Sequence, residues 1–306
     1  MKRILVIQYS QTGQLSGVLK SITAPLAADP GISLTVETLR PVQDFPFPWP
    51  FFRFFDTFPE TVYGDTPELK PLAVDPSERF DLVILGYQAW FLSPSLPVQA
   101  FLNSAAAAGL LKDTPVVTVV ACRDMWLKAQ EIVKDALARL GARHVGHVAL
   151  VDEAGTVGSF LATPLWMLSG SPAPKLWGLI PRAGVAPDKV AASSRFGERI
   201  AATLASGGPL DEALLRGLDA VQVNTALISS ENAIRRGFRA WGGLLRALGP
   251  QGNWRRQAVL VAYVLWLILA ILLLVPLGYV LRKALGPLRK RKLAKLAEYY
   301  AAPSGS

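Results

Sequence analysis

The sequence predicts an α/β fold, a doubly wound five-stranded parallel sheet in the order 2-1-3-4-5 with a C-terminal transmembrane helix. Three observations predict it. Short, nearly continuous apolar runs at 3–9, 81–87 and 115–121 have the composition of parallel strands covered on both faces. Helical patterns at 14–28, 96–109, 124–140 and 188–205 alternate with them at βαβ spacing. A polar loop, Ser10-Gln11-Thr12-Gly13-Gln14-Leu15, joins the first strand to the first helix, which is where sheets of this order bind phosphate-bearing ligands.

The remaining elements follow in turn. Residues 32–39 alternate in polarity and suit an edge strand, and 144–151 supply a fifth strand. Gly141 closes the third helix. Two inserts interrupt the plan. Residues 45–63 (FPFPWPFFRFFDTFPETVY) are crowded with aromatics, and their prolines oppose a regular helix through the first half. Residues 154–187 are apolar at 161–168 and 176–180, with Gly, Ser and Pro throughout. Beyond Gly207, residues 210–220 and 231–248 read as helices. The expected organisation is a domain at 1–206 with inserts at about 40–78 and 154–187, a basic helical linker at 207–257, a membrane span at 258–281 and a basic tail at 282–306.

The chain has 306 residues and a net charge of +9, unevenly placed. Residues 1–229 carry 19 Lys and Arg against 21 Asp and Glu, whereas residues 230–306 carry 13 against two. This excludes a basic nucleic-acid face on the sheet domain and fits a C-terminal region that meets anionic lipid. Residues 258–281 hold no charge, and 24 helical residues at about 1.5 Å each cross a hydrocarbon core of roughly 30 Å. Basic residues flank both ends, so the positive-inside rule does not orient the helix. Met1-Lys-Arg leads directly into a strand, which reads as no secretory leader. The expected location is a bacterial inner membrane with the sheet domain cytoplasmic and the side of the tail left open. A single cysteine, Cys122, excludes a disulfide framework.

The first loop offers backbone N–H groups, hydroxyls and a glycine at the positive end of a helix. It has no Lys or Arg, which suits FMN, and the Gly-Lys of an ATP-binding loop and the Gly-x-Gly-x-x-Gly of dinucleotide folds are both absent. The loop after strand 3, Gln88-Ala89-Trp90-Phe91-Leu92, lies at the same sheet edge and is expected to line a flavin ring. The loop after strand 4 brings Cys122, Arg123 and Trp126 to its other side. Arg123 could stabilise negative charge there; Asp124 is expected to cap the next helix. Tyr87 and Tyr9, at strand ends, are candidate acid/base groups. His144 and His147 lack metal-site spacing, and no Ser-His-Asp order or nucleophile elbow is present.

Over residues 1–206 the chain resembles flavodoxin-like FMN proteins. Their phosphate loop runs Ser/Thr-x-Thr-Gly-x-Thr. Residues 10–15 agree at five of six positions; the sixth is Leu15, with Ser16 beside it. Trp90 and Phe91 match an aromatic pair of flavodoxin-like quinone reductases. The chain is most similar to the bacterial dialkylresorcinol condensing enzyme (aromatase) group, through 9–15, Pro46 to Phe51, Phe54 to Pro59 and Trp90 to Ser95. That resemblance implies aromatisation of an alkylated cyclohexanedione to a dialkylresorcinol, beside a ketosynthase and acyl carrier protein, with a homodimer also open. A membrane-bound NAD(P)H:quinone reductase and a flavin-free scaffold that recruits a ketosynthase are the competing expectations.

Overall fold

The computed structural model describes residues 1–152 and 155–305, and their side chains except at 155–160, 271 and 274–290. Among the described residues the main sheet has five strands: β1 (Lys2–Gln8), β2 (Ile32–Thr38), β3 (Leu82–Tyr87), β4 (Pro115–Cys122) and β5 (Arg143–Val151). They pair in the order β2-β1-β3-β4-β5, and every pair is parallel. The expected order and strand positions hold. Helices α1 (Gln14–Ala28), α8 (Pro187–Ala192) and α9 (Ser194–Ala205) belong to one face. Helices α4 (Leu96–Leu102), α5 (Ala105–Leu111) and α6 (Leu127–Arg139) cover the other.

Strand alternation decides what each face receives. Leu5, Ile7, Val83, Leu85 and Tyr87 point to the α4–α6 side. Ile4, Val6, Leu82 and Ile84 point to α1 and α9. Gly86 lies against α1, where a Cβ would come within 2.6 Å of Leu19. The expected helix at 96–109 is broken by Asn103–Ser104, the side chain of Ser104 capping α5. Residues 210–220, expected to be helical, form turns with Gly217 and Asp219 at positive φ, and Ala220 accepts a bond from Ala149 at the free edge of β5.

The aromatic insert has no helix through its proline-rich start, then forms α2 (Phe51–Asp56) and α3 (Phe58–Tyr63). The second insert contains α7 (Gly155–Ser169). The two inserts meet where the Trp49 N–H donates to the Met167 carbonyl at 2.8 Å.

The region expected to be a linker is part of the folded body. Helix α10 (Thr225–Ala247) packs along α3, and α11 (Trp254–Ala301) packs along α10 and α2. Leu245, Leu260 and Tyr263 are fully buried against Phe58 of the insert. Arg256, also buried, donates from Nε to Asp56 at 2.5 Å and from both terminal nitrogens to Glu60 at 2.7 Å. The same guanidinium reaches the Asp56 and Gly249 carbonyls. The tail returns to the sheet. Tyr300 donates to Glu131 at 2.8 Å, and the Ser304 hydroxyl accepts from the His147 N–H at 2.6 Å.

Among the described residues no helix is long and apolar enough to cross a membrane. The expected span at 258–281 falls partly outside them, at side chains 271 and 274–281.

Removing Arg256 leaves two carboxylates facing one another in a water-poor site. Arg256→Ala should lower stability by about 3–5 kcal/mol, measured by urea unfolding. A loss under about 1 kcal/mol would show that the cluster does not hold α11.

Candidate functional site

The first loop sits at the carboxyl edge of β1, beside the end of β3. Gly13 caps α1 at φ 80, and no side chain caps the helix start. A Cβ added at Gly13 would meet nothing within 4 Å. The Ser10 hydroxyl is buried and, among the described residues, has no hydrogen-bond partner. A fifteen-residue helix thus presents an uncapped N-terminus, a left-handed glycine and an unused hydroxyl at one place, a donor set that suits a phosphate. The N–H of Gln11 is already taken by Gln88 Oε1 at 3.1 Å, which ties loop 1 to the loop after β3. Thr12 Oγ1 lies 3.4 Å from the N–H of Gln14.

Leu15 has a different role from its loop neighbours. It opens the buried stripe Leu15, Val18, Leu19, Ile22 and Leu26, at the 3–4 spacing of a core-facing helix. Its side chain therefore belongs to the core, and only its backbone could serve a ligand. Gln14 is committed as well, its Oε1 accepting from the Val185 N–H at 3.2 Å. The adjacent Gly184 N–H donates to Asp152 at 2.8 Å. These bonds dock the end of the second insert onto the loop.

The wall facing the loop is aromatic. Trp90 makes edge contacts with Tyr9 (5.9 Å), Phe45 (5.3 Å) and Trp49 (5.7 Å) between ring centroids. Tyr9 donates to Gln11 Oε1, whose amide donates to the Phe45 and Pro46 carbonyls. Burial and nearby Asp44 push the Tyr9 phenol up, so it stays protonated. Ala89 and Trp90 pair with Pro94 and Ser93 in a short hairpin. Its two-residue tip, Phe91-Leu92, has φ of 47° and 61°. Bulky residues adopt that conformation only when the surroundings fix it. Here Phe91 packs on Phe54 and Phe58, and the Leu92 carbonyl accepts from Arg235 at 3.1 Å.

The loop after β4 does less than expected. Arg123 is half-buried at the sheet edge near Asp124 and Asp152; burial lowers its pKa to about 10, and those carboxylates oppose the shift. Burial and Glu231 raise the Cys122 pKa, which favours the thiol over the thiolate. Trp126 is buried in the core against His147, with ring centroids 5.2 Å apart. Tyr87 is also in the core, stacked on His147 at 6.4 Å and not at the site edge. Alternation explains both the miss and its direction, because Gly86 takes the α1 side. His144 and His147 share the Thr118 hydroxyl at 2.9 and 2.8 Å, and burial keeps both neutral, His144 at about 4. Among the described residues no group of His, Cys, Asp and Glu could hold a metal.

Glu231 is the residue the sequence did not single out. It lies on α10, completely buried, and accepts from the N–H groups of Leu127 and Lys128 at the start of α6. Burial raises its pKa to about 7, against the pull of those two bonds. Its only sequence signal is that it is one of two acids in a region of 13 basic residues.

No protein-family model matches the chain, and no curated protein matches its sequence. Among solved structures it is similar to a flavoprotein from Lactobacillus acidophilus NCFM in complex with FMN, at 17% identity and a TM-score of 0.39, over 49% of this chain and 93% of that one. It is also similar to oxidised flavodoxin 1 from Bacillus cereus, at 16% and 0.32, over 55% and 98%. A flavodoxin, WrbA-like protein from Agrobacterium tumefaciens aligns at 11% and 0.34, over 67% and 99%. The fold itself rests on the strand order and register above.

The unfolded chain ionises Glu231 near 4.5, whereas the folded chain keeps its proton until about 7. Stability from this group is therefore greatest below pH 4.5 and falls as pH rises to 7, by about 3 kcal/mol at most. Glu231→Gln should flatten that part of the curve of Tm against pH. An unchanged slope would mean that the carboxyl is not held neutral.

Proposed function

We propose that the chain is an FMN-dependent oxidoreductase that works on an apolar substrate at a membrane. The observation that carries this reading is the start of α1, where among the described residues the buried Ser10 hydroxyl has no partner and no side chain caps the helix at Gly13, faced by Tyr9, Phe45, Trp49 and Trp90. The donors suit the FMN phosphate. The aromatic wall suits the ring and an apolar substrate laid beside it. FMN, when bound, supplies a two-electron hydride acceptor. The chain's own part is to hold the phosphate at the helix dipole, keep the Tyr9 phenol protonated beside the wall, and exclude water with the two joined inserts.

The substrate in this reading is a dialkylated cyclohexane-1,3-dione, which becomes a dialkylresorcinol by losing two hydrogens. One leaves as hydride to the cofactor and one as a proton to a base, and a separate acceptor later takes the two electrons. The support is the resemblance carried by residues 9–15, 46–51, 54–59 and 90–95, together with the apolar wall. A ketosynthase and an acyl carrier protein are the proposed suppliers of that dione, and a bacterial inner membrane, with the sheet domain on its cytoplasmic face, is the proposed location.

Purified protein supplied with FMN should turn yellow, and an alkylated cyclohexanedione should bleach it anaerobically while a resorcinol forms. Bleaching by NADPH but not by the dione would replace this reading with quinone reduction. A preparation that stays colourless would leave the scaffold reading. Gly13→Asp puts a carboxylate where the phosphate would lie and should weaken FMN binding by about 100-fold or more, roughly 2.7 kcal/mol, measured by fluorescence titration. Undiminished binding would remove the loop from the site.

A further inference from the structure

Among the described residues Trp177 is the most exposed large hydrophobic side chain, at 99%, and Leu176 and Leu179 beside it are 58% and 83% exposed. The three sit on a tight turn of the second insert. Lys175 and Ile180 close it, each N–H donating to the other's carbonyl, at 3.0 and 3.1 Å. The N–H groups of Gly178 and Leu179 donate back to the Lys175 and Leu176 carbonyls, both at 3.1 Å. Leu176, Trp177 and Gly178 take φ of 48°, 53° and 91°, so the chain reverses sharply with Trp177 at its tip. The backbone donors at 178, 179 and 180 stay bonded when the turn leaves water, which removes a main cost of entering an apolar phase.

A small core fixes the base of the turn. Ile180 is buried with Ala162 and Ala183 against Leu165 and Trp166. A few residues on, the N–H groups of Gly184 and Val185 donate to Asp152 and Gln14, which ties the turn to the loop at the start of α1. The same insert meets the aromatic one, where Trp49 bonds to Met167 and Pro48 lies against Gly170. Phe51 and Phe52, exposed on α2, follow directly after that junction.

Charge says what covers the tip. Residues 45–55 and 154–187 contain Arg53, Lys175 and Arg182 and no Asp or Glu. Arg53 and Arg182 are exposed. Elsewhere in the sheet domain acids slightly outnumber bases, so these joined inserts are apolar and purely cationic against an acidic background. A protruding indole flanked by leucines and cations matches the boundary between the acyl chains and the headgroups of an anionic leaflet. Four tip residues offer far less than the roughly 800 Å² per partner of a specific protein interface.

We propose that the turn at 175–182 is an interfacial membrane anchor. Leu176, Trp177 and Leu179 enter one anionic leaflet, and Lys175 and Arg182 lie at its headgroups. The anchor sets the loop at the start of α1 beside the lipid, through the bonds of Gly184 and Val185. This rests on the membrane association proposed above; it is independent of the flavin and of how α11 is placed.

The test reads depth at the tip, which α11 cannot supply. Full-length Cys122→Ala protein carrying either Leu179→Cys or Lys112→Cys is labelled with nitrobenzoxadiazole. Lys112 is exposed just before β4, at the opposite edge of the sheet. Each protein is combined with phosphatidylethanolamine–phosphatidylglycerol vesicles holding a lipid with a nitroxide on its acyl chain. The label at residue 179 should be quenched at least threefold more than the label at 112. Adding Leu176→Ser and Trp177→Ser should bring residue 179 down to the level of 112. Vesicle-bound protein with equal quenching at the two positions overturns this proposal and leaves membrane association standing. Quenching at 179 that survives the double serine change overturns it too. Replacing phosphatidylglycerol with phosphatidylcholine should lower the quenching at 179 at least twofold, and equal quenching overturns the assignment to an anionic leaflet. Protein that does not sediment with either vesicle removes the membrane reading as a whole.

Discussion

One buried guanidinium organises the half of the molecule that the sheet does not. Arg256 places every N–H of its fork on an oxygen of Asp56, Glu60 or Gly249, which is the condition under which a buried charge is tolerable. Asp56 and Glu60 lie on α2 and α3 of the aromatic insert, and Arg256 opens α11. The insert's position over the sheet edge therefore depends on a residue some 200 positions later. Without that anchor, α2 and α3 are six-residue helices, too short to persist on propensity.

From that anchor the order spreads by ring contacts. Tyr263 stacks on Phe58 at 4.1 Å, Phe58 meets Phe91 at 5.8 Å, and Phe91 adjoins Trp90 in the wall of the site. Pairs of this kind add about 0.5–1.5 kcal/mol each beyond their buried area. Together they hold Phe91 and Leu92 in a left-handed turn that neither would adopt freely. Glu231 makes a second tie, from α10 to the loop after β4. The C-terminal helices thus brace two of the three loops at the sheet edge, and Gln14 and Asp152 brace the first through the other insert.

The sheet was legible in the sequence because parallel strands buried on both faces need near-continuous apolar runs, and little else in the chain resembles them. The loop at the start of α1 stood out as a candidate site because its glycine and hydroxyls have few other uses at a strand–helix junction. Leu15 was misread for a physical reason: a motif comparison treats the loop as a string, whereas the helix treats its second residue as the start of a core stripe. Tyr87 faces the core because Gly86 takes the α1 side by admitting Leu19, and Trp126 faces it because it caps α6, which packs on the sheet. In the C-terminal region the sequence shows helical patterns, an uncharged stretch and a basic excess, but not which groups the arginines meet. Counting Arg235, Arg246 and Arg256 as a basic flank ignored their partners, the Leu92 carbonyl, Asp65 and the Asp56–Glu60 pair. Pairings across 143 to 200 residues leave no local signature.

These ties give α11 and the candidate site a shared structure. The protein-facing side of α11 presents Leu260 and Tyr263 to Phe58. That inner face supports the aromatic wall through Phe58 and Phe91. On α2, beside it, Phe51 and Phe52 are exposed. That proximity follows from the ion pair, since Arg256 and Asp56 must touch for the cluster to exist.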